Sequence, residues 1–63
     1  MRKVIIFTDT KNKTFIKGQK LENGHISFSG SSFTGTWRLE QLESVIKAHK
    51  EQGDIVEVRQ DKL

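Results

Sequence analysis

Apolar and polar positions alternate in short runs along most of this chain, and only Leu39 to Gly53 holds a spacing long enough for a full helix. Lys3 to Thr8 is a β-branched and aromatic run bounded by the polar cluster Asp9-Thr10-Lys11-Asn12-Lys13, which predicts a strand followed by a hairpin loop. Val4, Ile5, Ile6 and Phe7 do not alternate. A continuous apolar run predicts a strand that is apolar on both faces.

Thr14 to Glu22 reads as a second strand, and Asn23-Gly24 suits the two positive φ angles of a tight type I′ turn. A two-residue loop there pairs Glu22 with His25, Leu21 with Ile26, Lys20 with Ser27 and Gln19 with Phe28. That register sends Leu21, Ile26 and Phe28, with Phe15, towards the helix. Lys20, His25, Ser27 and Ser29 then lie on the opposite face.

After a turn at Gly30-Ser31-Ser32, Phe33, Gly35 and Trp37 alternate with Thr34, Thr36 and Arg38, which predicts a fourth strand. A helix over Leu39–Gln52 follows, with Leu39, Leu42, Val45, Ile46 and His49 forming its core-facing stripe. Glu40 and Glu43 suit the positive N-terminus, Lys47 and Lys50 suit the negative C-terminus, and Gly53 supplies a left-handed stop. The start is less well marked, because Arg38 stands where Ser or Asp would cap. Asp54 to Arg59 predicts a last strand, and Gln60 to Leu63 a frayed tail.

The expected fold is therefore α+β: an antiparallel-rich sheet of four to five strands, in the order β-β-β-β-α-β, with one helix packed on one face. A helix before the last strand lets that strand lie parallel to a neighbour, for instance the first. With 63 residues the chain makes a single domain, and a chain this short buries only about 60% of its unfolded surface. Six Ile, four Val, four Leu, four Phe and Trp37 suffice for one layer between helix and sheet.

Cysteine is absent, so neither a disulfide framework nor a thiolate metal site is available, and a cytoplasmic location is expected. Val4 to Phe7 is too short an apolar run for a signal peptide or a membrane span, so no membrane association is expected. The net charge of +3 is unevenly spread. Residues 1–21 carry six basic side chains against Asp9 alone, or +5, whereas residues 22–63 carry five basic and seven acidic ones, or −2.

No catalytic, metal-binding or phosphate-loop motif is present in the sequence. His25 and His49 have no third ligand near them, His49 lies on the apolar stripe, and His25 follows a turn. A non-enzymatic role without cofactor or metal is expected, in one of two forms. The first is protein interaction or self-association, in which a second chain completes an open sheet face or a Val56-to-Val58 edge. The second is binding of single-stranded nucleic acid through the lysine-rich hairpins. The candidate binding residues are Lys11, Lys13, Lys17, Lys20, His25, Ser27 and Ser29. A lysine-bearing β-meander followed by a helix is loosely similar to small single-stranded-DNA-binding folds, from which the terminal strand departs.

Overall fold

In the computed structural model, which describes residues 2–31 and 33–61, the apolar run near the N-terminus forms the central strand β1 (Lys3–Asp9). On one side it pairs antiparallel with β2 (Thr14–Lys20), joining Val4 to Gln19 and Asp9 to Thr14. On the other it pairs parallel with β5 (Ile55–Gln60), joining Lys3 to Ile55 and Thr8 to Gln60. The outer edge of β2 is shared by two short strands: β3 (Ile26–Ser27) beside Gln19 and Lys20, and β4 (Thr36–Arg38) beside residues 14–16. The result is a five-stranded mixed sheet, mostly antiparallel, with one helix on one face.

The sheet alternates as strand geometry requires. Val4 and Ile6 join Phe15 and Phe33 in the buried core on the helix side, where Trp37, Leu39, Leu42, Val45, Ile46 and Val56 pack against them. Trp37 sits opposite Phe15 across the β2–β4 pair, with ring centroids 5.8 Å apart. Ile5 and Phe7 face the other way, as the unbroken apolar run predicts, and Ile5 is only 1% exposed there.

The expected helix over Leu39–Gln52 is present in two parts. A 3₁₀ turn, Leu39–Gln41, leads into α1, Leu42–Glu51. Lacking a good capping side chain, the entry is fastened from elsewhere: the Leu39 N–H donates to the Lys13 carbonyl at 3.0 Å, and the Arg38 N–H donates to Gln41 Oε1 at 3.4 Å. The exit is a Schellman turn, with Gly53 left-handed at φ +86°. Its two bonds run from Gly53 N–H to the Lys50 carbonyl (3.0 Å) and from Asp54 N–H to the His49 carbonyl (3.0 Å). The Ile55 N–H then donates to the Arg2 carbonyl at 2.9 Å and starts β5 alongside β1.

Three expectations need correction. The fourth strand begins at Thr36 and not at Phe33, because Gly35 is left-handed (φ +99°) and Phe33 belongs to a turn closed by its N–H on the Gly30 carbonyl at 3.0 Å. Gln60 belongs to β5, and Asp61 is held in place. The Asp61 N–H donates to the Thr8 carbonyl (2.6 Å), and Asp61 Oδ1 accepts from the Thr10 hydroxyl (2.7 Å) and N–H (3.1 Å). The remainder of the expected frayed tail, Lys62 and Leu63, lies outside the described residues.

The third correction is to the register of the Asn23-Gly24 hairpin. Lys20 pairs with Ile26 and Gln19 with Ser27, one residue away from the expected pairing. The loop has three residues, not two: Leu21 N–H donates to the His25 carbonyl (2.8 Å), Gly24 N–H donates to the Leu21 carbonyl (3.0 Å), and within the loop only Gly24 is left-handed (φ +84°). This is the bulged hairpin loop, in which Asn23 keeps an ordinary negative φ. A one-residue shift exchanges the two faces of the strand. Ile26 and Phe28 therefore lie over Gly18 on the face away from the helix, and Phe28 meets Phe7 at 5.9 Å between ring centroids.

Candidate interaction surface

The two faces and two edges of the sheet differ in how fully the chain itself covers them. On the helix side the uncovered end is closed by a cluster of charged and aromatic groups. Asp54 Oδ2 lies 2.8 Å from Arg2 Nη2 and 3.0 Å from His49 Nδ1. The Arg2 guanidinium lies 5.1 Å from the centre of the Phe33 ring, and the His49 ring stacks on Phe33 at 6.3 Å. The hydrogen bond donated by Arg2, then that donated by His49, holds the Asp54 carboxyl below the usual carboxylate range. His49 and Asp54 occupy the two Schellman positions more commonly joined by an apolar contact, so this cluster ties the helix exit to the start of β1.

On the opposite face, Phe28 and Ile26 cover Gly18, Phe28 leans on Phe7, and the Arg59 guanidinium lies 5.6 Å from the Phe7 ring centre. Arg59 Nε is also 2.9 Å from Glu57 Oε2, and Lys3 Nζ is 4.0 Å from Glu57 Oε1. Phe28 remains 40% exposed. This face is thus apolar at its centre and charged along its β5 border.

The β2 edge is occupied by β3 and β4, whereas among the described residues no strand lies beyond β5. Ile55 and Asp61 direct their N–H groups to β1, so residues 55, 57, 59 and 61 turn their backbone groups inward. By alternation, the N–H and C=O groups of Val56, Val58 and Gln60 point outward. Ile55 (50% exposed) and Val58 (39%) are among the large apolar side chains most open to solvent. An edge strand with free backbone groups and exposed apolar side chains is a template for another strand.

The residues singled out from the sequence are not brought together. Lys11 and Lys13 are exposed in the β1–β2 loop, at one end of β2, and Lys20, His25, Ser27 and Ser29 lie at the other, about 20 Å away along a seven-residue strand. Lys17, between them, is 8% exposed and lays its ammonium 4.4 Å from the centre of the Trp37 ring on the helix side; burial holds that ammonium below its ordinary pKa. Lys20 falls on the face away from the helix, as expected. Ser27, paired with Gln19, turns to the helix side, and its hydroxyl lies 2.7 Å from that of Ser29, so neither belongs to the expected polar patch beside Lys20. His25 is exposed, and its N–H donates to Asn23 Oδ1 at 3.0 Å.

The sequence points to a Val56-to-Val58 edge but places none of Ile55, Glu57 and Arg59 among the candidate binding residues, although the alternation Val56-Glu57-Val58-Arg59 is the available signal. Among the described residues no group of three His, Asp or Glu is placed to hold a metal ion, and no helix is long and apolar enough to cross a membrane. No protein-family model, curated protein or solved structure matches the chain.

Proposed function

We propose that this chain is a small interaction module that works by strand addition at β5, meeting another protein or a second copy of itself. The observation that carries this reading is the open β5 edge. It offers the outward backbone groups of Val56, Val58 and Gln60 beside the exposed side chains of Ile55 and Val58. Main-chain hydrogen bonds supply affinity in this mode, and the flanking side chains supply selectivity.

Binding of single-stranded nucleic acid through the N-terminal lysines is the competing reading, and the observations support it less. Phe15, Phe33 and Trp37 are spent on the helix side, Lys17 is covered, and the other lysines stand at separate ends of β2. A stacking platform needs several exposed aromatics on one face beside basic groups.

A pulldown from a native cell extract, run with and without nuclease, and with the wild-type chain and Val58→Pro, tests the choice. Proline at position 58 removes an outward N–H without breaking a bond to β1. A captured protein that survives nuclease and is lost with Val58→Pro supports strand addition. Capture abolished by nuclease, with tight binding of a fluorescent single-stranded oligonucleotide at 50 mM salt, would transfer the function to nucleic acid.

A further inference from the structure

Resting on the interaction reading above, we infer that the β5 edge is built to pair antiparallel with the β5 edge of a second copy, about a two-fold axis passing beside Val58. The side chains select this register. In an antiparallel pair, residues directly opposite one another share a face, so the axis must pass beside a residue and not between two. Centred on Glu57, the pairing sets Glu57 against its own symmetry mate and leaves Gln60 unpaired. Centred on Arg59, it opposes two guanidinium groups.

Centred on Val58, it sets Glu57 opposite the partner's Arg59, and Arg59 opposite the partner's Glu57, on the face away from the helix. These side chains already alternate in charge within one strand, with Arg59 Nε 2.9 Å from Glu57 Oε2. Two copies would close them into a four-membered ring of opposite charges. Opposite-charge cross-strand pairs stabilise a sheet, and like charges placed opposite destabilise it.

The backbone selects the same centre. Val56, Val58 and Gln60 turn their N–H and C=O groups outward, and the Val58 axis makes Val58 opposite Val58, and Val56 opposite Gln60, the hydrogen-bonded pairs of the ladder. About six main-chain hydrogen bonds form at once, using every outward group of residues 56 to 60. The axis stands perpendicular to the sheet, so both helices lie on the same side of one continuous sheet. The two Val58 side chains, each 39% exposed in the single chain, then cover each other between those helices.

Sedimentation velocity and equilibrium on the full chain test this register directly. The wild type is expected to move from a 7.2 kDa monomer to a species of about twice that mass at high micromolar concentration. Val58→Pro, Glu57→Lys and Arg59→Glu, each verified as folded by circular dichroism, should weaken the dimer by about tenfold or more. An equimolar mixture of Glu57→Lys and Arg59→Glu chains should recover it, because each substituted residue then faces its opposite charge in the partner. A wild type that stays monomeric throughout overturns the inference. It leaves the interaction reading standing if Val58→Pro still abolishes capture of a foreign protein. A dimer indifferent to Val58→Pro, or a mixture no tighter than its separate components, also overturns it and assigns self-association to another surface.

Discussion

His49 and Asp54, five residues apart across the helix exit, join Nδ1 to Oδ2 at 3.0 Å, and the same carboxylate oxygen takes Arg2 Nη2 at 2.8 Å. One acidic side chain thereby fastens the end of α1, the turn into β5 and the entry to β1. Its preference for ionisation in the folded state makes it a contributor to acid sensitivity.

The direction of that sensitivity follows from linkage. Asp54, held down by Arg2 and His49, Asp61, held down by the Thr10 hydroxyl, and Asp9, held down by the Asn12 side chain, all have folded pKa values below their ordinary ones. Their contribution is fully present above the unfolded carboxylate pKa of about 4 and is lost as pH falls through the depressed folded values. Urea midpoints should therefore drop in the acid range. Asp54→Asn should lower the neutral midpoint and make the acid drop shallower, and an unchanged profile would remove Asp54 from this role.

Gly18 reports on the face exchange in the bulged hairpin. A Cβ at position 18 would stand 2.6 Å from Ile26 Cγ2 and 2.9 Å from Phe28 Cε1. Gly18→Ala should cost about 1–3 kcal/mol, the range for overpacking a close contact, and shift the Phe28 ring resonances. With the two-residue register, Ile26 and Phe28 would be on the other side of the sheet, and the substitution would be nearly silent.

Trp37 stacks on Phe15, and the Lys17 ammonium lies over its ring. Trp37→Ala should destabilise by about 3 kcal/mol, the low end for a large aromatic, since the ring is only half-buried. Lys17→Ala uncovers the ring, and because Trp37 is the only tryptophan its emission should shift to the red without loss of the fold. An unshifted spectrum would show that the Lys17 stem does not shield it.

Gly53→Ala places a side chain at φ +86° in the Schellman turn, a conformation costing about 1–2 kcal/mol in a residue with a Cβ. Hydrogen exchange should rise first at Asp54 and Ile55, whose N–H groups bond to His49 and Arg2. Faster exchange confined to β3 would contradict the proposed linkage between helix exit and β5.

Much of the architecture was legible because periodicity reports packing. Leu39, Leu42, Val45, Ile46 and His49 do face the sheet, and the unbroken run Val4 to Phe7 does bury both faces of β1. The hairpin register is not legible locally, because Asn-Gly serves both a two-residue I′ turn and a three-residue bulged loop, and local chemistry alone does not choose. The choice comes from tertiary demand. Ile5 and Phe7 need apolar cover on the face away from the helix, and Gly18 leaves room for Ile26 and Phe28 to provide it. The lysines cluster in sequence, but a seven-residue strand pulls them apart, whereas the Val56-to-Val58 edge is legible from the sequence and the pairing of Glu57 with Arg59 beside it is not.

The position of β5 beside β1 also governs the order in which the sheet can close. Val4 meets Val56, a separation of 52 residues, so the central strand waits for a partner from the far end of the domain. Until α1 and β5 dock, β1 has one bare side, and the β1–β2 hairpin carries apolar surface with no helix over it. The β1–β5 pairing therefore carries the largest loop-closure cost in the sheet.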